Sequence, residues 1–279
     1  MPPKFWLIPP LPTRQYQHNA NGAIQDLNTK QDLAGYLHAC AFSPTPSTFI
    51  RAIKRGHYQS WPGLTIALIS KHLLKSLATS KGHLRMDQKN TQTTKIDEAI
   101  PLNTSLDLSP PQEANNMRSH AVFITIVTTA DLRKSYSDQT GRFPIQSSRG
   151  YNYVMILYDM DSNAILSCPI KTRQASEIVK AWVKLFNRLK YNGYAPELHI
   201  LDNECSDTLK QAFTKNDVSF QRVPPHVHRR NAAERAIQTW KNHFCSGLAT
   251  CDPKFSLTEW DLLMVQADLT LNLLRSSRR

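Results

Sequence analysis

The spacing of apolar positions changes several times along this chain, and each change marks a new element. Ile178, Trp182, Leu185 and Leu189 recur at steps of three and four, the inward stripe of an amphipathic helix over residues 175–189. A second stripe, Ala233, Ile237, Trp240, Phe244 and Leu248, predicts a helix starting near residue 231. It follows a Pro-Pro pair that cannot lie in a helix interior, and Asn231 is placed to cap it. Short β-branched and aromatic runs predict strands. The first begins at Lys134 and closes at Asp138, the next is YNYVMILYD at 151–159, and others follow at 164–170, 197–201 and 218–223. The strand at 197–201 runs directly into Asp202, and a helical run over 207–216 separates it from the last strand. Three strands close in sequence, followed by helix–strand alternation, predict an α/β fold: a mixed five-stranded sheet covered by helices. A plain doubly wound parallel sheet would place a Gly-rich loop after its first strand, and Gly141 and Gly150 stand alone.

Upstream of this core the pattern is different. Residues 1–29 are rich in Pro, Asn and Gln with no sustained period, and read as an irregular arm. Residues 30–85 turn helical, through DLAGYLHACAF, STFIRAIKRG with Gly56 as a stop, and LTIALISKHLLKSLATS with Leu64, Leu68, Leu73 and Leu77 near helical spacing. This predicts a small all-α region. Residues 86–118 are polar, contain proline and have no aromatic residue, so a disordered linker is expected there. The core is expected to span 119–279 and to open on the apolar run Ala121–Val127.

Composition narrows the partners. A formal charge of +12 and a pI near 9.6 favour a polyanion, nucleic acid before an acidic membrane surface. No stretch approaches twenty uninterrupted apolar residues and prolines punctuate MPPKFWLIPPLP, so neither a membrane span nor a signal peptide is expected, and the location expected is intracellular. Cys40, Cys168, Cys205, Cys245 and Cys251 are odd in number and contain no C-x-x-C pair, which points to reduced thiols. His38, His57, His72 and His83 invite a zinc reading of the helical region, but Cys40 is its one cysteine, so zinc is not expected.

The candidate chemistry lies in a few words read together: SDQTGRF, YDMDSNAI, LDNE, and PPHVHRRNAAERAI followed by KNHF. Each supplies an acid at an element boundary: Asp138 at the close of a strand, Asp202 at the tip of a later one, and Glu234 in the first turn of a helix, off its apolar stripe. This layout, from about residue 136 to 275, resembles the retroviral and retrotransposon integrase catalytic core, the DDE type of the ribonuclease H-like superfamily. With 31 residues between Asp202 and Glu234, the connection is shorter than is usual in that family. No acid stands one turn further on, where position 238 is Gln. The run RAIKRGHYQSWPGLT through KHLLKSLATSKGHL similarly resembles the segment before the core in some retrotransposon polyproteins, of which the chain is expected to be a part.

The resemblance implies that Asp138, Asp202 and Glu234 form a triad binding Mg²⁺ or Mn²⁺. Three converging carboxylates repel, and a hard divalent cation bound through oxygen relieves that repulsion. A pair of such ions can activate the attacking oxygen and stabilise the leaving one at phosphorus. The implied reactions are DNA 3′-end processing and strand transfer into target DNA, by a homo-oligomer acting in the nucleus. His226, His228, Arg229 and Arg230, with Lys241 and Lys210, are the candidate nucleic-acid contacts. Asp159 and Asp161 read as turn acids, and Glu204 and Asp207 as helix-start residues. Two alternatives share much of this pattern: an inactive nucleic-acid-binding remnant of a retroelement, and a ribonuclease H-type nuclease, whose fourth carboxylate Asp268 would have to supply.

Overall fold

Strand β1 (Lys134–Gln139) is the centre of the sheet because it is paired on both sides. Antiparallel to it runs β2 (Tyr153–Asp159), with Asp138 opposite Ile156, and β2 pairs in turn with the edge strand β3 (Ile165–Ile170). On the other side β4 (Leu198–Leu201) runs parallel to β1, with Tyr136 opposite Ile200, and β5 (Ser219–Arg222) parallel to β4. The order β3-β2-β1-β4-β5, three antiparallel strands followed by two parallel ones, is the ribonuclease H-like sheet expected from the sequence. The computed structural model describes residues 29–84, 133–201, 205–222 and 232–278. The expected strand at Ala121–Val127 lies outside them, as do Asp202, Asn231 and the run 226–230.

Each sheet face carries its own core. Helices α5 (Ala175–Tyr191) and α6 (Asp207–Lys215) cover one face, where Trp182, Leu185, Leu189 and Phe213 meet Met155, Leu157 and Leu166. Ser206 caps α6 by accepting the Leu209 N–H (3.3 Å). The other face packs against α7 (Ala232–Thr250), whose buried Ala233, Ala236, Ile237, Trp240 and Phe244 meet Tyr136, Val154, Ile156 and Tyr158. A 3₁₀ segment (Leu257–Leu263) and α8 (Met264–Leu273) complete that layer. The stripes predicted for α5 and α7 are the buried faces. No helix among the described residues is long and apolar enough to cross a membrane.

Residues 30–84 form α1 (Lys30–Cys40), α2 (Pro46–Lys54), α3 (Ile66–His72) and α4 (Leu77–Gly82). The run expected to be continuously helical through Leu77 breaks at Leu73, which is extended (ψ 118°), and Ser76 begins α4 by capping Thr79 N–H (3.3 Å). Leu68 is buried whereas Leu77 is 70% exposed, so the leucine spacing does not describe one helix face. The cluster of α1–α3 also contains Leu273 of α8. His57 Nδ1 lies 2.8 Å from Leu273 O, and Gln266 Nε2 donates to Cys40 O (3.1 Å). All the described residues belong to one compact unit.

Two glycines allow this packing. A Cβ at Gly82 would stand 2.5 Å from Asn242 O of α7 and inside the van der Waals shell of Ser246 Oγ; one at Gly247 would overlap the Phe42 ring. Overpacking of this kind typically costs about 1–3 kcal/mol. Gly82→Ala is therefore expected to lower the urea midpoint by that order, whereas Gly35→Ala, with nothing within 4 Å, is expected not to. Equal midpoints for the two variants would show that α4 does not bear closely on α7.

Candidate active site

Side-chain alternation on β1 sorts its residues. Tyr136 packs into the α7 layer, so Asp138, two residues on, belongs to that same face, while Ser135 and Ser137 face the α5–α6 layer. Asp138 is half-buried, and its Oδ1 accepts the Gln139 N–H (2.7 Å). The word SDQTGRF then has three local tasks. Thr140 continues the pairing, its N–H donating to Val154 O (2.8 Å) and its hydroxyl accepting the Val154 N–H (3.0 Å). Phe143 stacks on Trp260 (4.4 Å between centroids) and meets Trp240 and Phe244 edge-on, pinning the chain under α7. Gly141 has open space around its Cα, so crowding does not require a glycine there.

β1 and β4 are joined by a buried side-chain network as well as by their ladder. His199 Nδ1 lies 2.7 Å from Ser135 Oγ and its Nε2 2.8 Å from Ser137 Oγ, so a neutral imidazole donates through one nitrogen and accepts at the other. Trp182 and Phe213 close over the ring. Burial pushes the His199 pKa down to about 3. Sequence patterning gave no warning of this group; its one trace is serine at alternate positions of an otherwise buried strand.

Glu234 sits in the first turn of α7 and is exposed, as is Gln238 one turn later, while Lys241 is half-buried. The rest of α7 is tied down. Trp240 Nε1 donates to Asp268 Oδ1 (3.3 Å), His243 Nε2 lies 2.8 Å from Thr270 Oγ1, and Phe42 stacks on His243. The helix is thus fixed along its length, with Glu234 and Arg235 of its first turn exposed. Of the expected triad, the structure puts Asp138 on the sheet face that α7 covers and Glu234 on α7 itself. Asp202 lies outside the described residues, one residue beyond the end of β4.

Other candidates are placed as follows. Lys210 is on α6, across the sheet from α7, and pairs with Asp207 (2.7 Å), holding that carboxyl below its ordinary range. His226, His228, Arg229 and Arg230 lie outside the described residues. Asp159 is buried and accepts Ser162 N–H (2.7 Å) and its hydroxyl (2.6 Å), the bonding of a turn acid. Asp268, required as a fourth carboxylate by the nuclease alternative, is buried and holds Ser167, Arg188 and Trp240. An unexpected cation stands at the end of β1: exposed Arg173 donates to Thr140 O (2.9 Å) and lies over the Tyr153 ring (5.0 Å), which packs into the α5–α6 layer, the face opposite Asp138. The described residues contain no group of three His, Cys, Asp or Glu side chains able to hold a metal ion. Asp138 and Glu234 are oxygen donors of the kind hard divalent cations take.

No family profile and no curated protein matches the sequence. Similar solved structures include retroviral ones. The catalytic core domain of BIV integrase is 12% identical over 50% of this chain and 81% of that one, with a TM-score of 0.36. The HTLV-2 integrase catalytic core domain in complex with magnesium is 17% identical over 48% and 82%, with a TM-score of 0.37. A chain of the simian T-cell lymphotropic virus intasome bound to PP2A regulatory subunit B56 gamma is 16% identical, with a TM-score of 0.36; the match spans 48% of each chain. The ribonuclease H-like fold of this chain rests on its own strand order and register.

Proposed function

We propose that this chain is an integrase-like polynucleotidyl transferase of a retroelement, acting on DNA 3′ ends. The observation that carries the reading is the placement of Asp138. It lies on the central strand, on the face covered by the helix whose first turn holds exposed Glu234, beside a parallel strand that ends one residue before Asp202. Asp138, Asp202 and Glu234 would hold Mg²⁺ or Mn²⁺, which when bound activates the attacking oxygen and stabilises the leaving one. The chain's own part is positional. The His199 network and the β1–β4 ladder fix the two strands against each other, and the anchors on α7 fix the turn that bears Glu234. Lys241, two turns from Glu234 along α7, places positive charge on the face where a phosphodiester backbone would approach.

The test is joining of a labelled DNA 3′ end to a target duplex in Mg²⁺ or Mn²⁺, run beside cleavage of an RNA–DNA hybrid. Joining by the parent chain, lost in Asp138→Asn, Asp202→Asn and Glu234→Gln while thermal unfolding and DNA binding persist, is the expected result. Hybrid cleavage without joining would favour the nuclease reading. DNA binding with neither activity would favour the inactive remnant, and full activity in Glu234→Gln would remove the glutamate from the site.

A further inference from the structure

Half of the net charge of this chain sits in a fifth of its length. Residues 30–84 contain seven lysines and arginines against one acid, Asp32, within a chain whose formal charge is +12. Arg51, Lys54, Arg55, Lys71, Lys75 and Lys81 are all exposed. Every ion pair among the described residues lies in 133–278, where Glu197 takes Arg133, Asp261 and Glu259 take Arg149, and Asp268 takes Arg188. Among the described residues, none of the six cations of the helical segment has such a partner. Several stand at helix C-terminal turns, where the helix dipole favours a cation. That preference accounts for lysines at helix ends but not for a near absence of acids over 55 residues. Arg51, Lys54 and Arg55 share one face of α2, opposite buried Phe49 and Ala52.

The segment is also held next to the candidate site. Gly82 brings α4 against Asn242 and Ser246 of α7, and Asn242 is eight residues from Glu234. At about 1.5 Å per residue that is about 12 Å along the helix, or some three to four base pairs of duplex. Exposed Arg235, two turns before Asn242, stands on the face of α7 that α4 covers further on. A DNA backbone leaving the first turn of α7 toward α4 would meet Arg235 and then the cations of the helical segment.

We propose that residues 30–84 are a second, sequence-independent docking surface for the duplex DNA phosphate backbone, continuing from α7 away from the reacting end. This rests on the nucleic-acid reading of the site, and it gives a role to a segment outside the candidate triad. Its contacts would be to phosphate, the sequence-independent part of the duplex that exposed lysine and arginine neutralise.

The experiment uses the full chain and duplexes of 10 and 30 base pairs, with affinity measured by fluorescence anisotropy across a salt series. Two variants are compared with the parent: Arg51→Gln/Lys54→Gln/Arg55→Gln and Lys71→Gln/Lys75→Gln/Lys81→Gln. Each phosphate left without its cation should lower the slope of log affinity against log salt by about 0.9, so each triple should lower it by roughly 2–3 on the 30-base-pair duplex and less on the short one. Equal thermal unfolding of parent and variants checks that the fold is intact, including in the first triple, where Arg55 also gives up its bond to Ser276 Oγ (2.9 Å). Slopes unchanged in both triples would overturn the proposal. So would variants that bind DNA as the parent does but lose binding to poly-L-glutamate, an outcome assigning the surface to an acidic protein. The joining assay separates the two levels: joining with unchanged slopes ends this proposal alone, whereas reduced slopes in a chain that joins nothing end the integrase reading and leave the surface standing.

Discussion

Asp268→Ala is expected to cost about 3–5 kcal/mol, a large part of the roughly 5–15 kcal/mol that holds a domain of this kind together. The carboxylate is buried and joins three elements. It accepts Ser167 N–H (3.0 Å) and hydroxyl (2.6 Å) from β3, the Trp240 indole N–H (3.3 Å) from α7, and an Arg188 N–H (3.0 Å) from α5. α5 lies on one sheet face and α7 on the other, so Arg188 reaches past edge strand β3 to meet an acid from the opposite layer. Burial pushes the Asp268 pKa up, and Arg188 with the Ser167 and Trp240 bonds offsets part of that. Removing the carboxylate strands the Ser167 and Trp240 donors, at about 1–3 kcal/mol for each that stays shut off from water, whereas the Arg188 side chain is 40% exposed and can turn to solvent. The donors therefore dominate the loss. Arg188→Met should cost clearly less than Asp268→Ala in urea unfolding. The reverse order would mean that the ion pair, and not the hydrogen-bonded carboxylate, holds the layers together. Because Trp240 is one of the donors, Asp268→Ala should also loosen α7, read as faster amide exchange along it.

Stability is expected to fall steadily as pH drops from about 6.5 towards 3, through His199 and His243. Burial lowers both to about 3 in the folded protein, helped at His243 by the nearby His83 charge. Between the two values the unfolded chain binds protons that the folded chain refuses, so unfolding stability rises with pH and is complete only above about 6.5. Two groups shifted by this much are worth several kcal/mol together, of the order of the whole stability. His38, also lowered by burial, adds in the same direction. Asp268 opposes them near the bottom of the range, since a raised carboxyl takes up its proton in the folded state first. The check is a series of urea midpoints against pH for the parent and for Ser135→Ala/Ser137→Val/His199→Leu, which removes both sides of each hydrogen bond and leaves no orphan donor. The triple variant should show the shallower dependence. Parallel curves would mean that His199 is not held neutral between the two serines.

Local spacing was sufficient for the helices and strands that layer the sheet, though not for the run through Leu77, which breaks at Leu73. The stripes of α5 and α7 and the apolar run of β2 follow from periods of 3.6 and 2, which depend on neighbours a few residues away. The same local signals put Asp138 at the close of β1 and Glu234 in a first helical turn. What they could not reach is pairing between distant positions. His199 meets Ser135 across 64 residues and Asp268 meets Ser167 across 101, and no period links them. Alternation alone would expose polar residues, yet Ser135, His199 and Asp268 are buried because each finds its partner on a neighbouring element. Arg173 beside Thr140 and Phe143 beneath α7 are likewise set by how the loops fold back over the sheet. Local patterning thus dictates which faces are buried and where the acids fall along the chain. The assembled fold selects which acids are exposed, as Glu234 is in the first turn of α7, and which, like Asp268, are buried in joining the layers, because that choice depends on donors brought from other elements.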